Sequence, residues 1–253
     1  MNQRRSLTTI VLVVVMLLTS CVTAPKRSAS GTAAPGGAQQ TMGRSTGSLV
    51  EVPFDPSSFV AEVDNPFFPL VRGTVYTYFD GADSEKVEVT RDHKTILGVA
   101  VTVVHDRLIE NGEVLEDTFD WYAQDRDGNV WYMGEATQTL SGGQVVSTEG
   151  SWQAGVEGAQ AGIIMLGQPE VGDAYRQEYS PGVAEDQAKV LSLDESVSVI
   201  AGTFTGCLET GERTALEPGD REFKYYARGV GTVLEVAPKD EHPRNELVAV
   251  SRR

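Results

Sequence analysis

Two dipeptides constrain this chain more than any other feature. Asn111-Gly112 and Asp127-Gly128 each stand between runs rich in β-branched and aromatic residues. A two-residue hairpin loop of type I′ needs positive φ at both central positions, which Asn-Gly and Asp-Gly supply readily. Gly142-Gly143 is a third, weaker turn signal. Consecutive hairpins make a meander of antiparallel strands, which must curve or close to bury a face. Helical periodicity is nearly absent. One short helix is expected over Pro56–Val63, with Asp55 as its N-cap and Pro56 in its first turn. Strands are expected at Thr74–Phe79, Lys86–Thr90, Val99–Ile109, Val114–Ala123 and Val130–Met133, then at Ala188–Leu193, Phe204–Leu208, Phe223–Ala227 and Glu246–Val250. The fold class is therefore mainly β. It should be a single curved antiparallel sheet, or a half-barrel or barrel of meandering hairpins, with at most one or two short helices.

The turns also imply a register. With Asn111-Gly112 as a two-residue loop, Val104 faces Phe119, Asp106 faces Asp117 and Leu108 faces Leu115. The other face sets Val103 against Asp120, His105 against Thr118 and Arg107 against Glu116. The Asp127-Gly128 turn then sets Asp120 opposite Glu135 and Tyr122 opposite Met133. Like charges across a strand pair are destabilising unless a cation, a proton or solvent relieves them. This gives a solvated acidic face or a carboxylate-lined site. The ligand-facing members of such a site would be His105, Glu116, Asp120 and Glu135, with Arg107 as internal counter-ion. A one-residue slip would turn every one of these side chains to the opposite face.

The chain's 253 residues carry 21 basic and 36 acidic side chains, for a net charge of −15. Nucleic acid is excluded as an expected partner, because phosphate binding needs a basic surface. Cations or basic partners would be attracted instead. The N-terminus reads as a secretory signal: Arg4 and Arg5, an apolar run from Ile10 to Leu18, then Thr19-Ser20-Cys21. That run falls short of the about 20 apolar residues of a membrane span. Leu18-Thr19-Ser20-Cys21 resembles the lipobox of bacterial lipoproteins. The resemblance implies export, acylation of the Cys21 sulfur, cleavage before Cys21 and a membrane contact through the acyl chains. Removing residues 1–20 takes away two arginines and no acid, leaving −17. Val22–Leu49 is rich in Ala, Gly, Ser, Thr and Pro and reads as a tether with an r.m.s. span of roughly 30 Å. The expected organisation is a signal peptide over 1–20, anchor and tether over 21–49, and one β-rich domain over 50–253. With Cys21 lipidated, Cys207 has no partner for a disulfide and reads as a buried small residue.

No nucleophile elbow, zinc pair, phosphate loop or dinucleotide fingerprint is present, so no catalytic residue, metal or cofactor is assigned. Asp125-Arg126-Asp127-Gly128-Asn129 has its glycine too early for a calcium loop and reads as a turn. Trp121, Trp131 and Trp152 read as core or pocket lining. Three segments carry a second resemblance. Asn65-Pro66-Phe67-Phe68-Pro69-Leu70 with Gly73-Thr74-Val75-Tyr76, Ala201-Gly202-Thr203-Phe204 with Cys207-Leu208, and Tyr225-Tyr226-Ala227 with Gly229-Val230-Gly231 are similar to motifs of a widespread group of secreted bacterial β proteins. That group implies an extracytoplasmic antiparallel architecture and supplies no activity. The two prolines hold Phe67 and Phe68 extended, so these rings are expected to plug a sheet edge or barrel mouth. Gly229 and Gly231 are expected to bend a strand.

The function expected is a monomeric, lipid-anchored binding or carrier module with a small molecule or lipid as ligand. The alternatives are an envelope hydrolase using Asp120 and Glu135 as a carboxylate pair, and a purely structural lipoprotein.

Overall fold

A computed structural model describes residues 49–253. Cys21, the signal segment and nearly all of the tether lie outside the described residues. After a single 3-10 turn at Pro56–Ser58, the chain forms β1 (Phe59–Val60), β2 (Thr74–Phe79), β3 (Ser84–Ile96), β4 (Val99–Glu110) and β5 (Glu113–Asp125). It continues with β6 (Val130–Ser141), β7 (Gln144–Ser147), β8 (Trp152–Gln153), β9 (Gly162–Met165) and β10 (Ala174–Arg176). The last third is β11 (Asp186–Val199), β12 (Gly202–Thr214), β13 (Glu222–Ala227), β14 (Gly231–Val236) and β15 (Arg244–Arg252).

All pairings are antiparallel within one curved sheet, and the main path runs from β10 through β15 to β2 and on to β7. The first long strand and the last are thus neighbours in the middle of the sheet, with Val250 opposite Tyr76. The far edge of β6 is covered piecewise by β7, β8 and β9. The sheet curls until Gln160 bridges Tyr179, but no continuous ladder closes it. It is a half-barrel of meandering hairpins.

The expected helix shrinks to one 3-10 turn. Asp55 caps it by accepting from the Ser57 amide at 2.9 Å. Phe59 then leaves the helical path to pair with Asp125, and its ring packs on Phe54 and Trp131. Burying aromatic surface outweighs the weak propensity of so short a segment. Most expected strands are longer than the apolar runs suggested, because polar residues extend them: Lys86–Thr90 becomes 84–96 and Phe204–Leu208 becomes 202–214. Gly229 and Gly231 lie at the β13–β14 turn with φ +74° and +103°, rather than bending a strand.

The hairpin register is corrected by bulges. Asn111 and Gly112 adopt φ 51° and 87°, as a type I′ turn requires, and Ile109 opposes Val114. A bulge at Leu108/Ile109 then shifts the ladder by one residue, so Asp106 faces Thr118 and Val104 faces Asp120. The expected Asp106–Asp117 pair does not form. The Asp127-Gly128 loop is one residue longer than expected, and Tyr122 faces Tyr132 rather than Met133. An irregularity between Asp120 and Tyr122 restores the register, and Asp120 does face Glu135. Gly134 is required there: its φ is +124°, and a Cβ would collide with the backbone of Trp152 on β8.

The larger apolar cluster gathers Trp121, Trp131, Trp152, Met133, Tyr175 and Leu208. A second gathers Tyr78, Val89, Cys207, Val233 and Leu247. Cys207 is fully buried. The three motif segments converge: the Gly229 amide donates to Pro66 O at 2.7 Å, Phe68 packs against Tyr226, and Tyr226 opposes Leu208.

Candidate functional site

The inner face of the curled sheet encloses a cavity of about 340 Å³. Strand alternation decides what faces it. Every second residue of β5 points inward, giving Glu116, Thr118, Asp120 and Tyr122. The one-residue shift in β4 brings Asp106 and Val104 to the same face, and β3 adds Glu85 and Val87. On β6 the irregular Met133-Gly134 stretch lets both Tyr132 and Glu135 face inward. The opposite wall is Glu222, Lys224 and Tyr226 of β13 with Glu235 of β14, and Glu178 and Asp186 complete it. Nine lining residues are acidic and one is basic.

Phe68 reaches the cavity because the segment before β2 is clamped. Asn65 donates through Nδ2 to Gly128 O at 2.9 Å and to Leu166 O at 3.1 Å. Gln124 Oε1 accepts from the amides of Asp64 and Asn65. Phe67 is thereby buried beneath Arg228, whose guanidinium carbon lies 4.2 Å from the ring centroid. Phe68 sets its edge on Tyr122 at 5.2 Å between ring centroids. Phe68 lines the cavity between Tyr122 and Tyr226, one from each half of the sheet, while Phe67 is buried in the larger apolar cluster.

Tyr132 is the hub of the acidic wall. Its hydroxyl lies 2.5 Å from Asp120 Oδ1 and 3.2 Å from Glu135 Oε2. A hydroxyl has one proton to give, so both contacts are hydrogen bonds only when one carboxyl is protonated. Glu135 fits that role: burial, then the neighbouring Asp120 charge, pushes its pKa up to about 8. Burial also raises Asp120, opposed by the Tyr132 hydrogen bond, to about 6. Glu116 is raised by burial to about 7 despite the hydroxyl of Thr118. Asp106 and Glu178 are pushed well above the carboxylate range, chiefly by burial. For Asp106 the next cause is the charge of Glu85, and for Glu178 it is that of Glu135.

Across the cavity, Lys224 Nζ lies 3.5 Å from Glu212 and Glu222 and 3.6 Å from Glu235. Burial opposes its charge, but the carboxylates outweigh burial and hold the ammonium well above its usual pKa. Glu235 is itself raised by burial to about 8, with Lys224 opposing.

The expected site is thus assembled in part. Glu116, Asp120 and Glu135 come together at the cavity, whereas His105 does not. The bulge turns His105 to the outer face, where its Nε2 bonds to Asp117 and its ring stacks on Phe119 at 4.2 Å. Arg107 is on that outer face too, 3.8 Å from Glu88, so the internal counter-ion is Lys224. Lys224, Glu178, Glu222 and Glu235 were not singled out from the sequence. The alternating Glu222-x-Lys224-x-Tyr226 pattern was the available signal, since it puts a charge on the face that carries a buried aromatic. Among the described residues, no three His, Cys, Asp or Glu side chains converge as a metal-binding group.

No protein-family model and no curated protein sequence matches the chain. Two solved structures are similar to it. One is a protein of Bacteroides fragilis described as exported and of YmcC-like fold, with 17% identity and a TM-score of 0.40. The other is a protein of Parabacteroides distasonis described as a lipoprotein, with 12% identity and a TM-score of 0.39. Each alignment covers 74% of this chain and 99% of the other.

Proposed function

We propose that this chain is a lipid-anchored, extracytoplasmic binding module that holds a small molecule in the acidic cavity of its half-barrel. The observation that carries the binding reading is the cavity itself. Its inward-facing side chains are an under-compensated set of carboxylates rather than a packed apolar core, and burying such groups without partners is costly. A purely structural domain gains nothing from that cost. The carboxylate-pair hydrolase is less well supported, because the Tyr132 hydroxyl stands between Asp120 and Glu135, where a glycosidic oxygen or attacking water would have to sit. The anchoring reading rests on Leu18-Thr19-Ser20-Cys21 behind its basic and apolar flanks.

Two measurements test the two halves. Cys21→Ser should move the protein from the membrane to the soluble fraction of its native host, and equal retention of the variant would overturn the anchor. Native mass spectrometry of the purified full chain should show a co-purifying small molecule that denaturation releases. A mass equal to the acylated polypeptide alone, unaltered by incubation with host extract, would overturn the binding reading.

A further inference from the structure

The cavity contains its own example of how it treats a positive charge. Lys224 brings one ammonium against three carboxylates at 3.5–3.6 Å, on the wall formed by β13 and its neighbours. On the facing wall Asp106, Glu116, Asp120 and Glu135 line the same space, Glu178 lies within reach of the Glu135 charge, and none of the five makes an ion pair with any described residue. Two of them are also short of hydrogen bonds. Glu178 is half-buried at the cavity, and its carboxyl finds no hydrogen-bond donor among the described residues. Glu116 Oε2 is sealed from solvent with no partner. A buried acceptor left unsatisfied is destabilising and calls for a donor. The surroundings also specify what kind of donor suits the site. The carboxylates are spread along several strands rather than converging on one point, which disfavours a bare metal ion. Phe68, Leu70, Val87, Val104 and Ile164 contribute apolar wall between them. A volume of about 340 Å³ is at the small end of the range for small-molecule sites, roughly 300–1,000 Å³.

Resting on the binding reading above, we infer that the ligand is a small protonated aliphatic amine, whose ammonium groups pair with Asp120, Glu135 and Glu178 while its hydrocarbon lies against Phe68 and Leu70. Such a ligand repeats on the β4–β6 wall what Lys224 already does on the β13 wall. It supplies N–H donors to the unpartnered oxygens, neutralises facing carboxylates and keeps its methylene groups out of water. A fatty acid would bring an anion into an acidic cavity, and a neutral sugar would leave the charges uncompensated.

The test is isothermal titration calorimetry of the full chain in detergent at pH 7.5, with butylamine, putrescine and spermidine as probes and calcium chloride as a separate arm. Putrescine or spermidine should bind at one site, more tightly than butylamine. Glu135→Gln and Glu178→Gln should each weaken binding about tenfold or more, since each removes a charge-assisted contact. Glu113→Gln, an exposed carboxylate beside the Asn111-Gly112 turn, should leave binding unchanged. Thermal unfolding of each variant guards against misfolding, and midpoints at or above wild type are expected because repulsion is relieved. Amine binding that both cavity variants retain would mean adventitious surface pairing and would overturn the inference. So would calcium binding that is tighter than amine binding and lost in the same variants. If no amine binds while native mass spectrometry still shows a retained small molecule, this inference fails and the binding module stands. If no small molecule is retained at all, both fall.

Discussion

Asp120 and Asp125 lie five residues apart on β5 and are buried to similar degrees, at 9% and 4% exposed. Asp125 accepts four hydrogen bonds, from the amides of Asp127 and Asn129 at 3.0 Å and from Asn129 Nδ2 and Trp131 Nε1 at 2.9 Å. These donors fix the loop after β5 and dock Trp131 into the core. Asp120 accepts from one side chain, Tyr132, and faces other carboxyls across a cavity. The difference separates a structural carboxylate from a candidate ligand-binding one more cleanly than burial does. A carboxylate surrounded by N–H donors has been provided for by the fold. One that shares a single hydroxyl with a second acid is still short of positive charge.

Three perturbations can break or sharpen that comparison. The largest effect should come from Asp125→Ala, which strands two backbone amides and the Trp131 indole. Chemical denaturation should show a loss of about 3–4 kcal/mol that no cation restores. A loss under 1 kcal/mol would show that the four bonds do not support the loop. Next is Lys224→Met, which removes the ammonium that three carboxylates share. It should cost about 3 kcal/mol at pH 8. The cost should shrink toward pH 5, where the cavity acids take up protons in its place, and a pH-independent cost would contradict the shared-charge description. The smallest effect has the opposite sign. Asp120→Asn keeps an acceptor for Tyr132 but removes repulsion, and should stabilise the ligand-free chain by about 0.5–1 kcal/mol near pH 7.5. If Asp120→Asn instead destabilises as Asp125→Ala does, the two aspartates are alike and the distinction is lost.

The same carboxyls set the pH dependence. Glu135 and Glu235 at about 8, Glu116 at about 7 and Asp120 at about 6 are all raised above their ordinary values, mainly by burial. The folded chain therefore binds these protons more tightly than the unfolded chain. Their contribution favours folding below pH 4 to 4.5, where both states are protonated, and is lost as pH rises through 6 to 8. Thermal midpoints should fall between pH 5 and pH 8.5 without ligand, and a midpoint that rises over that range would show the cavity acids to be solvated.

The fold class was legible because its carriers are local. Asn111-Gly112 and Gly142-Gly143 do form tight turns, each with positive φ at both residues, and Thr74–Phe79 is a strand end to end. The Leu97-Gly98 turn is not legible in the same way, because Leu97 has no intrinsic preference for its φ of 50°, which tertiary packing against Gly155 accompanies. The site was legible only in part for a related reason. Alternation shows that two residues share a face, but not which face, once a bulge intervenes. A single extra residue at Leu108/Ile109 sent His105 and Arg107 outward and brought Asp106 inward. Asp120 reached Glu135 only because a longer loop and an irregularity in β6 compensate each other. Glu178, Glu222, Lys224 and Glu235 come from the other half of the sheet, and no local pattern tells that the two halves curl to face each other.

The pairing of β2 with β15 sets how such a chain can acquire its structure. The strand that begins the long meander and the strand that ends it are hydrogen-bonded neighbours, from Thr74 against Arg252 to Phe79 against Glu246. The Phe68 wedge meets Tyr122 and Tyr226, which lie much later in sequence. Contacts this distant make for high contact order and slow folding, since long loops must close before any pairing rewards them. As the polypeptide emerges from its N-terminus, the hairpins from β2 to β7 can form in turn, but the other edge of β2 must wait for the final nine-residue strand. Until Arg252 is free, the two halves of the sheet are not joined and an open edge lies between them. Loss of that last strand, by an early stop or by proteolysis, would cut the sheet through its middle rather than trim its rim.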